Sequence, residues 1–212
     1  MEYEIRTKSK NKKLVKQMQN KIKSAAVNVF LEKGFHKATM QEIAEEAGMV
    51  SGNIYNYIGS KDDILHLLCI SSRDSIDKVK RNLRTLEGKN TEETLIKCIR
   101  TYFKITDRNY KNILFYNREI RNFSHSDRAI LLSSIIEYRN FFENLIKDGV
   151  ANGEFNAKSP LLLANNIVSF VHDWAIRKWA LRRLLTSEEY LNLQIDALFD
   201  SLKHTNGIKN SL

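Results

Sequence analysis

The sequence predicts an all-α protein on three observations. Its 212 residues include only 8 glycines and 1 proline, too few turn residues to separate the many short strands of a β-sandwich or barrel. Apolar residues recur at spacings of three and four, the period of an amphipathic helix, as in the run from Ile22 to Phe30. Several such runs follow patterns that begin helices, and the segment from Thr39 to Glu42 is one of them.

The composition is that of an ordinary globular protein with a basic charge balance. Hydrophobic residues make up 42% and charged residues 28%, and the net charge is +9. This charge is compatible with an anionic partner such as nucleic acid, a membrane surface or a phosphorylated ligand, and does not choose among them. Neither a signal peptide nor a membrane-spanning segment is predicted, so we expect a soluble cytoplasmic protein.

The cysteines and histidines indicate no metal site and no cofactor. Cys69 and Cys98 each lie in an apolar run, which predicts buried free thiols. Their spacing does not match that of a zinc site. His172 and Asp173 are adjacent, so on a helix their side chains diverge by about 100° and cannot form an orienting pair. Because no nucleophile or phosphate-loop motif is present either, we do not expect an enzyme.

Residues 1–60 are predicted to form a lysine-rich arm and three short helices. The arm, residues 1–16, is expected to be flexible at its start and helical from about Lys16. The first helix should end at Gly34, because glycine tolerates the left-handed conformation that follows many helices. Five lysines give the arm a strong positive field, which fits either a solvated tail or a salt-sensitive contact with phosphates: Lys8, Lys10, Lys12, Lys13 and Lys16.

The second and third helices are short and are separated by a glycine. Thr39 begins the second helix with a capping box, and Gly48 ends it after about two turns. Ser51 is expected to cap a third helix that runs to about Tyr57. Three helices joined in this way match the helix-turn-helix of DNA-binding proteins.

A helix-turn-helix needs small polar residues at the start of its third helix, so that the backbone can approach the bases, and donors nearby for phosphates. The residues expected to contact DNA on these grounds are Thr39, Ser51, Gly52, Asn53, Tyr55, Asn56, Tyr57 and Lys61. The same pattern also allows a plain helical bundle in which Tyr55 and Tyr57 are core residues.

These residues resemble the DNA-binding signature of TetR-type regulators. The matching runs are TMQEIAEEAG at 39–48, SGNIYNY at 51–57 and SKD at 60–62, and the resemblance covers about residues 18–68. It implies a homeodomain-like helix-turn-helix in residues 1–60 and a larger helical domain for dimerisation and ligand binding in residues 61–212.

The resemblance also implies roles for individual residues. Tyr55 and Lys61 would contact phosphates, and Thr39 would cap the second helix beside the DNA backbone. Ile58 stands where the family usually has phenylalanine and Asp62 where glutamate is common. Both substitutions keep the character of the site.

Residues 61–212 are predicted to be helical, with a polar tail that frays from about Lys203. The predicted helices are one capped at Ser60, one from Asn90 or Thr91 to about Arg108, one over about 110–121, one from Ser124 or Ser126 to near Gly149, one from Ser159-Pro160 to about Leu185, and one begun by the Thr186–Glu189 capping box. By the resemblance, the last two pair with their twofold mates in a homodimer. A dimer would place two recognition helices about one DNA turn apart.

The segment 114–122, the helix around 138–142 and the region of Trp174 and Trp179 resemble TetR-type regulators of fatty-acid and sterol-ring breakdown, which sense acyl-CoA thioesters. Such an effector needs an apolar channel and cations for its phosphates. The candidate ligand-binding residues are Phe115, Phe142, Phe170 and Trp174 for the channel, and Arg118, Arg121, Arg177 and Arg182 for the phosphates. Each aromatic residue equally fits a core position, and each arginine a solvated one.

The sequence therefore favours a repressor that binds operator DNA and dissociates from it when a small molecule binds. It leaves alternatives open. A repressor that responds to planar drugs and controls efflux is the main competitor for the effector. A non-specific architectural protein would bind DNA through charge alone. An enzyme or carrier that uses a helical cavity is disfavoured, because catalytic groups do not cluster.

Overall fold

A computed structural model describes residue 5, residues 7–86 and residues 88–203. The tail predicted to fray beyond Lys203 lies outside these residues, as do 1–4 and residue 6 of the predicted arm. All regular structure in the described residues is helical, which confirms the all-α prediction. The helices are α1 (Lys12–Lys33), α2 (Met40–Glu46), a 3₁₀ helix (Ser51–Asn56), α3 (Lys61–Arg84), α4 (Thr91–Arg108), α5 (Tyr110–Glu119), a 3₁₀ turn (Ile120–Asn122), α6 (His125–Ala151), α7 (Pro160–Leu181) and α8 (Ser187–Lys203).

Side chains cap several helices at the predicted residues. The Thr39 hydroxyl accepts a hydrogen bond from the Glu42 amide at 3.2 Å, and the Glu42 carboxylate accepts one from the Thr39 amide at 2.9 Å. Thr186 and Glu189 form the same reciprocal pair before α8. Ser159 caps α7 by accepting a backbone hydrogen bond. These caps satisfy amides that would otherwise lack a partner at the helix start.

The start of α1 differs from the prediction. α1 begins at Lys12 rather than at about Lys16. The Asn11 side chain accepts a hydrogen bond from the Leu14 amide at 3.1 Å and caps the helix there. Asparagine is among the preferred residues at this position, so the cap explains the earlier start. Gly34 ends α1 with a φ of 80°, as predicted.

The third helix also differs, because it is a 3₁₀ helix and Ser51 does not cap it. Val50 holds the cap position, and no side chain there accepts a hydrogen bond. The Asn53 amide donates to the Val50 carbonyl at 2.8 Å, which is the tighter i→i+3 pattern. Gly48, with a φ of 65°, allows the turn that leads into this segment.

The chain divides into two compact units. Unit 1 comprises Met1–Ser75 with Lys111–Leu132, and unit 2 comprises Ile76–Tyr110 with Ser133–Leu212. The division predicted at residue 60 concerned function and stays a prediction. The compact amino-terminal unit continues beyond it along α3 and also takes in α5.

Unit 1 is held together by an apolar core to which α1, α2, the 3₁₀ helix at 51–56, α3, α5 and α6 contribute. The Phe30 and Phe115 rings stack with centroids 5.6 Å apart, which joins α1 to α5. The fully buried members of this core include Ile22, Ala26, Phe30, Ile43, Ala44, Ile54, Ile58, Ile64, Cys69 and Phe115. The burial of α1, α2 and the 3₁₀ helix against one another fixes the surface that remains exposed.

Unit 2 has its own core, built from the second half of α3 and from α4, α6, α7 and α8. The Tyr102 and Tyr138 rings lie 4.4 Å apart, and Phe142 packs beside Tyr102. Trp174 packs 5.0 Å from the Tyr190 ring, and the Tyr190 hydroxyl donates to the Phe170 carbonyl at 2.9 Å. This packing joins α7 to α8.

Candidate functional site

The 3₁₀ helix buries one side chain and leaves a small polar surface exposed. Ile54 is fully buried, whereas Gly52 and Asn53 are exposed and Tyr55 keeps 43% of its surface accessible. A Cβ built on Gly52 would meet no atom within 4 Å. The Asn56 side chain donates to the Asn53 side chain at 3.2 Å, which holds the two amides together. This is the surface that the sequence predicts for base contacts, and its contact with DNA stays a prediction.

Four of the other predicted DNA contacts are less exposed, and Asn56 and Lys61 are two of them. Ser51 and Tyr57 are half-buried, and Tyr57 packs against the core of unit 1. Thr39 is exposed, although its hydroxyl is engaged by the Glu42 amide. The exposed part of the predicted interface is therefore centred on Gly52, Asn53 and Tyr55.

Backbone hydrogen bonds from the arm and α1 meet the carboxyl end of the 3₁₀ helix. The Lys8 and Ser9 amides both donate to the Asn56 carbonyl, at 3.0 and 3.2 Å. The Gln19 side chain donates to the Tyr57 carbonyl at 3.1 Å. Sequence reasoning missed these contacts because they join residues about 40 to 50 positions apart, with no local signal.

Lys61 has a structural role that the sequence did not indicate. Its ammonium donates to the carbonyl oxygens of Phe35 at 2.7 Å, His36 at 3.2 Å and Ala38 at 2.8 Å. An ammonium has three N–H donors, so these acceptors match its full capacity. Lys61 thus holds the turn between α1 and α2. Its contact with a DNA phosphate stays a prediction.

An ion pair joins the end of α1 to the start of α2. The Lys33 ammonium lies 2.7 Å from a Glu42 carboxylate oxygen. The hydrogen bond from Lys33, followed by those from Thr39, lowers the pKa of Glu42 to about 2. Glu42 is therefore ionised at neutral pH and serves both the capping box and the pair.

The predicted ligand-binding residues fall into both compact units. Phe115, Arg118 and Arg121 belong to unit 1. Phe115 is fully buried in the core, the Arg118 guanidinium donates to the Leu31 carbonyl at 2.8 Å, and Arg121 is exposed. For Phe115, the structure thus supports the core position that the sequence left open.

The other candidates belong to unit 2. Phe142 is fully buried, Phe170 and Trp174 are buried, and Arg177 is exposed and pairs with Asp173 at 2.9 Å. Trp174 and Arg182 line the cavity described next, whereas Phe142, Phe170 and Arg177 do not. Their participation in ligand binding stays a prediction.

A cavity of about 420 Å³ lies in unit 2 beside the carboxyl ends of α4 and α7. One of its lining residues is Asp107, whose carboxylate accepts hydrogen bonds from the Trp174 indole and the Lys178 ammonium, both at 2.7 Å. The lining residues are Asp107, Trp174, Lys178, Arg182, Arg183, Leu184, Leu185, Thr186, Ser187 and Glu189. The lining therefore holds three cations and two carboxylates beside the buried Trp174 ring, and Lys178 is paired with Asp107, which leaves Arg182 and Arg183 as the cations that can receive an anionic group.

A hydrogen-bonded pair lies within the core of unit 2. The Tyr102 hydroxyl and His172 Nε2 are 2.8 Å apart. Burial lowers the pKa of His172 to about 4 and raises that of Tyr102 well above its ordinary value. Both groups are therefore neutral at pH 7, and a single proton is shared in the hydrogen bond between the Tyr102 hydroxyl and the His172 imidazole. This pairing could not be predicted from the sequence, because 70 positions separate the two residues.

The cysteines are buried free thiols, as predicted. Burial raises the pKa of both, that of Cys98 to about 11. Among the described residues, no group of three or more His, Cys, Asp and Glu side chains is placed to hold a metal ion. No helix in this part of the chain has both the length and the apolar character to cross a membrane.

Comparison with known protein families matches both halves of the chain. Residues 22–68 match the family described as "Bacterial regulatory proteins, tetR family", and residues 88–179 match "Tetracyclin repressor-like, C-terminal domain". The chain belongs to the TetR family. The first match contains α2 and the 3₁₀ helix, so the predicted helix-turn-helix and the resemblance drawn from the sequence are confirmed.

Curated relatives of this TetR-family regulator are themselves regulators of transcription. It is 29% identical to the HTH-type transcriptional regulator HbdR of Aromatoleum sp. (strain CIB), over 84% of this chain and 78% of HbdR. It is 25% identical to the "Fatty acid metabolism regulator protein" of Bacillus subtilis (strain 168), over 74% of this chain and 80% of that protein.

Solved structures share the fold of the regulator. The structure of AibR in complex with isovaleryl coenzyme A and operator DNA aligns with a TM-score of 0.71 at 21% identity, over 86% of this chain and 98% of AibR. FadR from Bacillus subtilis in complex with stearoyl-CoA aligns with a TM-score of 0.66 at 21% identity, again over 86% of this chain and 98% of FadR. At this identity the likeness shows the fold, which is an all-α TetR fold.

Proposed function

We propose that this regulator is a repressor that binds operator DNA as a homodimer and leaves it when an acyl-CoA-like molecule binds the carboxy-terminal domain. The observation that carries the proposal is the exposed polar surface of the 3₁₀ helix at Gly52, Asn53 and Tyr55. It lies within the segment that matches the TetR family.

The DNA contact follows from what this surface offers. Gly52 lets the backbone approach the base edges, because no Cβ intervenes. The Asn53 amide both donates and accepts hydrogen bonds, as base edges in the major groove require. Tyr55 offers an exposed hydroxyl that can donate to a phosphate.

Dimerisation is supported by apolar side chains that α7 and α8 leave exposed. These are Leu161, Leu162, Trp179 and Leu193, and Trp179 and Leu193 each keep more than half of their surface accessible. Large apolar residues gathered on neighbouring helices are typical of a protein interface. A second copy would bury them and bring together two DNA-binding units.

The effector class is supported by the relatives and by the cavity of unit 2. Structures of AibR and FadR are complexes with isovaleryl coenzyme A and stearoyl-CoA, and a Bacillus subtilis relative is named for fatty acid metabolism. The cavity combines Arg182 and Arg183, which can pair with phosphates, with the Trp174 ring. These arginines are the cations that the phosphates of an acyl-CoA need. We further propose that the protein acts in the cytoplasm and catalyses no reaction.

The DNA part of the proposal is tested by fluorescence anisotropy with the duplex upstream of the protein's own gene. Gly52→Ala should leave the fold unchanged, since the new methyl group meets no protein atom, and should weaken binding about tenfold by blocking the approach of the bases. Tyr55→Phe should weaken it by a similar factor. Tyr110→Phe in unit 2 removes the same hydroxyl from another tyrosine and serves as the matched control.

Binding to an unrelated duplex of equal length separates a specific regulator from an architectural protein. Equal affinity for both duplexes at fixed salt would overturn the proposal in favour of binding by charge alone. Unchanged operator affinity in both Gly52→Ala and Tyr55→Phe would refute the proposed contact surface.

The effector part is tested by adding isovaleryl-CoA, stearoyl-CoA, free coenzyme A or a planar cationic dye to the protein–operator complex. Release of DNA by a thioester, but not by coenzyme A alone, is the expected result. If only the dye releases the DNA, the effector is a planar drug, as in the alternative left open by the sequence, and not an acyl-CoA. Arg182→Gln combined with Arg183→Gln should raise the thioester concentration needed for release.

A further inference from the structure

The amino-terminal arm lies against the helix that is proposed to enter DNA. The Lys8 and Ser9 amides both donate to the Asn56 carbonyl, the last residue of the 3₁₀ helix. Ile5 is partly buried and packs against the core of unit 1. Asn11 then caps α1. The described part of the arm is therefore anchored by Ile5 at one end and by Asn11 at the other. Backbone hydrogen bonds between them set its position relative to the 3₁₀ helix.

The arm and the first turns of α1 carry a strong, uncompensated positive charge. Residues 7–16 contain five lysines and no acidic residue. Each of the five is exposed, and none forms an ion pair with another described residue: Lys8, Lys10, Lys12, Lys13 and Lys16. Lysines at the amino end of a helix also oppose its dipole.

We propose that this lysine-rich arm, residues 7–16, is a second DNA-binding element that contacts the phosphates flanking the bases met by the 3₁₀ helix. The inference rests on the proposed function, since it takes the 3₁₀ helix as the part that meets DNA. The backbone amides of Lys8 and Ser9 bond to Asn56, and an extended residue spans about 3.3–3.6 Å. The Lys10 backbone therefore lies within about 7 Å of the bonded Lys8 amide. Duplex DNA carries a negative charge for about every 1.7 Å of its axis, so phosphates lie within reach of a side chain placed there.

The arrangement also explains why the arm is tied by its backbone. Amide-to-carbonyl bonds use no side chain, so Lys8 and Lys10 keep their ammonium groups for an external partner. A lysine tail that served only solubility would not need a fixed position beside Asn56. A purely structural arm that caps the 3₁₀ helix would need the two amides and no lysines. A DNA-binding arm should therefore lose function when its lysines are neutralised, whereas a purely structural arm should respond only to loss of the two backbone amides.

The charge is tested with two matched triple variants measured on the full chain. One carries Lys8→Gln, Lys10→Gln and Lys13→Gln. The control carries three exposed lysines of unit 2 changed in the same way: Lys89→Gln, Lys104→Gln and Lys158→Gln. Each triple removes three positive charges, so both lower the net charge from +9 to +6.

The measured quantity is the salt dependence of operator affinity between about 50 and about 200 mM KCl. Each phosphate contact contributes about 0.9 to the slope of log K against log[salt], so the arm triple should lose about 2 to 3 from the slope per bound protomer. The affinity for an unrelated duplex should fall by the same factor as that for the operator, because phosphates carry no sequence information. A slope equal to that of the control triple overturns the inference.

The backbone tie is tested with Ser9→Pro, which removes one amide donor and keeps every lysine. Ser9→Ala keeps the amide and is its control. Ser9→Pro should weaken operator binding and flatten the salt slope relative to Ser9→Ala. Equal behaviour of the two would show that the arm's position does not matter. Thermal unfolding by circular dichroism verifies that all four variants are folded.

Failure of this inference differs from failure of the proposed function. If the wild-type protein binds the upstream duplex no better than an unrelated one, the proposed function fails. If it binds specifically and Gly52→Ala weakens that binding while the arm triple does not, the arm inference alone is wrong.

Discussion

The Lys61 ammonium lies 4.8 Å from the centre of the Phe35 ring while it donates to the Phe35 carbonyl at 2.7 Å. Lys61 opens α3, and Phe35 follows the glycine that ends α1. A single side chain therefore holds the turn between α1 and α2 through a cation–π contact and charge-assisted hydrogen bonds. The residue that sequence resemblance assigns to DNA is thus also part of the scaffold that presents the helix-turn-helix.

Lys61→Met should destabilise unit 1, although the sequence predicted only a phosphate contact for this residue. The variant keeps the apolar stem and removes the charge from three carbonyl acceptors. Hydrogen bonds to charged groups contribute about 1.5–3 kcal/mol each at most, and Lys61 is half-buried, so a loss of about 1–3 kcal/mol is expected. Urea unfolding followed by circular dichroism measures it.

The control is Lys37→Met, which makes the same change at an exposed lysine in the same turn. Its free energy of unfolding should stay within about 0.5 kcal/mol of the wild type. If the two variants unfold at the same urea concentration, the structural role given to Lys61 is incorrect.

Local features of this fold could be predicted from the sequence, and long-range ones could not. The Thr39 and Thr186 caps were found because a capping box joins residues three positions apart. The Lys61 acceptors lie 23 to 26 positions away, and no periodicity or motif marks such a pairing. The docking of the arm on Asn56 was missed for the same reason.

The ligand site shows the limit most clearly. Phe115 and Trp174 have the same type of helical pattern in the sequence, and both are buried core residues, yet only Trp174 also borders a cavity. An apolar residue at helical spacing faces inward in both cases. Whether such a residue also borders a cavity depends on the packing of all the helices around it.

His172 should make the protein less stable in mild acid. Its pKa is about 4 in the folded protein, because burial disfavours the charged form, against 6.5 in an unfolded chain. Above pH 6.5 both states are neutral and the residue has no effect. As the pH falls from about 6.5 to about 4, the unfolded state binds a proton that the folded state does not, so the free energy of unfolding falls by up to about 3 kcal/mol.

The measurement compares urea unfolding of the wild type and His172→Gln between pH 7 and pH 4. Glutamine keeps an acceptor for the Tyr102 hydroxyl and has no titration, so this variant should lose less stability on acidification. His125→Gln, at an exposed histidine, should follow the wild type. Parallel pH curves for the wild type and His172→Gln would contradict the argument.

Gly149 should not tolerate a side chain. A Cβ at this position would lie 2.2 Å from Cδ2 of Phe155, which is itself buried. Alanine normally favours a helix over glycine by about 1 kcal/mol, whereas overpacking costs about 1–3 kcal/mol. Gly149→Ala is therefore expected to lower stability on balance, as measured by thermal unfolding. Phe155→Leu in the same chain should recover part of the loss, and failure of both changes to alter stability would show that the helix end adjusts freely.

Two exposed residues of unit 2 should control dimerisation. Trp179 on α7 is 67% exposed and Leu193 on α8 is 57% exposed. If these helices form the dimer interface, Trp179→Glu and Leu193→Glu would each bury an unpaired carboxylate between the copies, which costs several kcal/mol. Light scattering after size-exclusion chromatography should then give the 24.7 kDa mass of one chain at micromolar concentration. Leu132→Glu makes the same change at an exposed leucine of unit 1 and should keep the dimer mass. If all three variants remain dimers, the interface does not lie on α7 and α8. If all three are monomers, the added charge itself separates the copies, whatever its position.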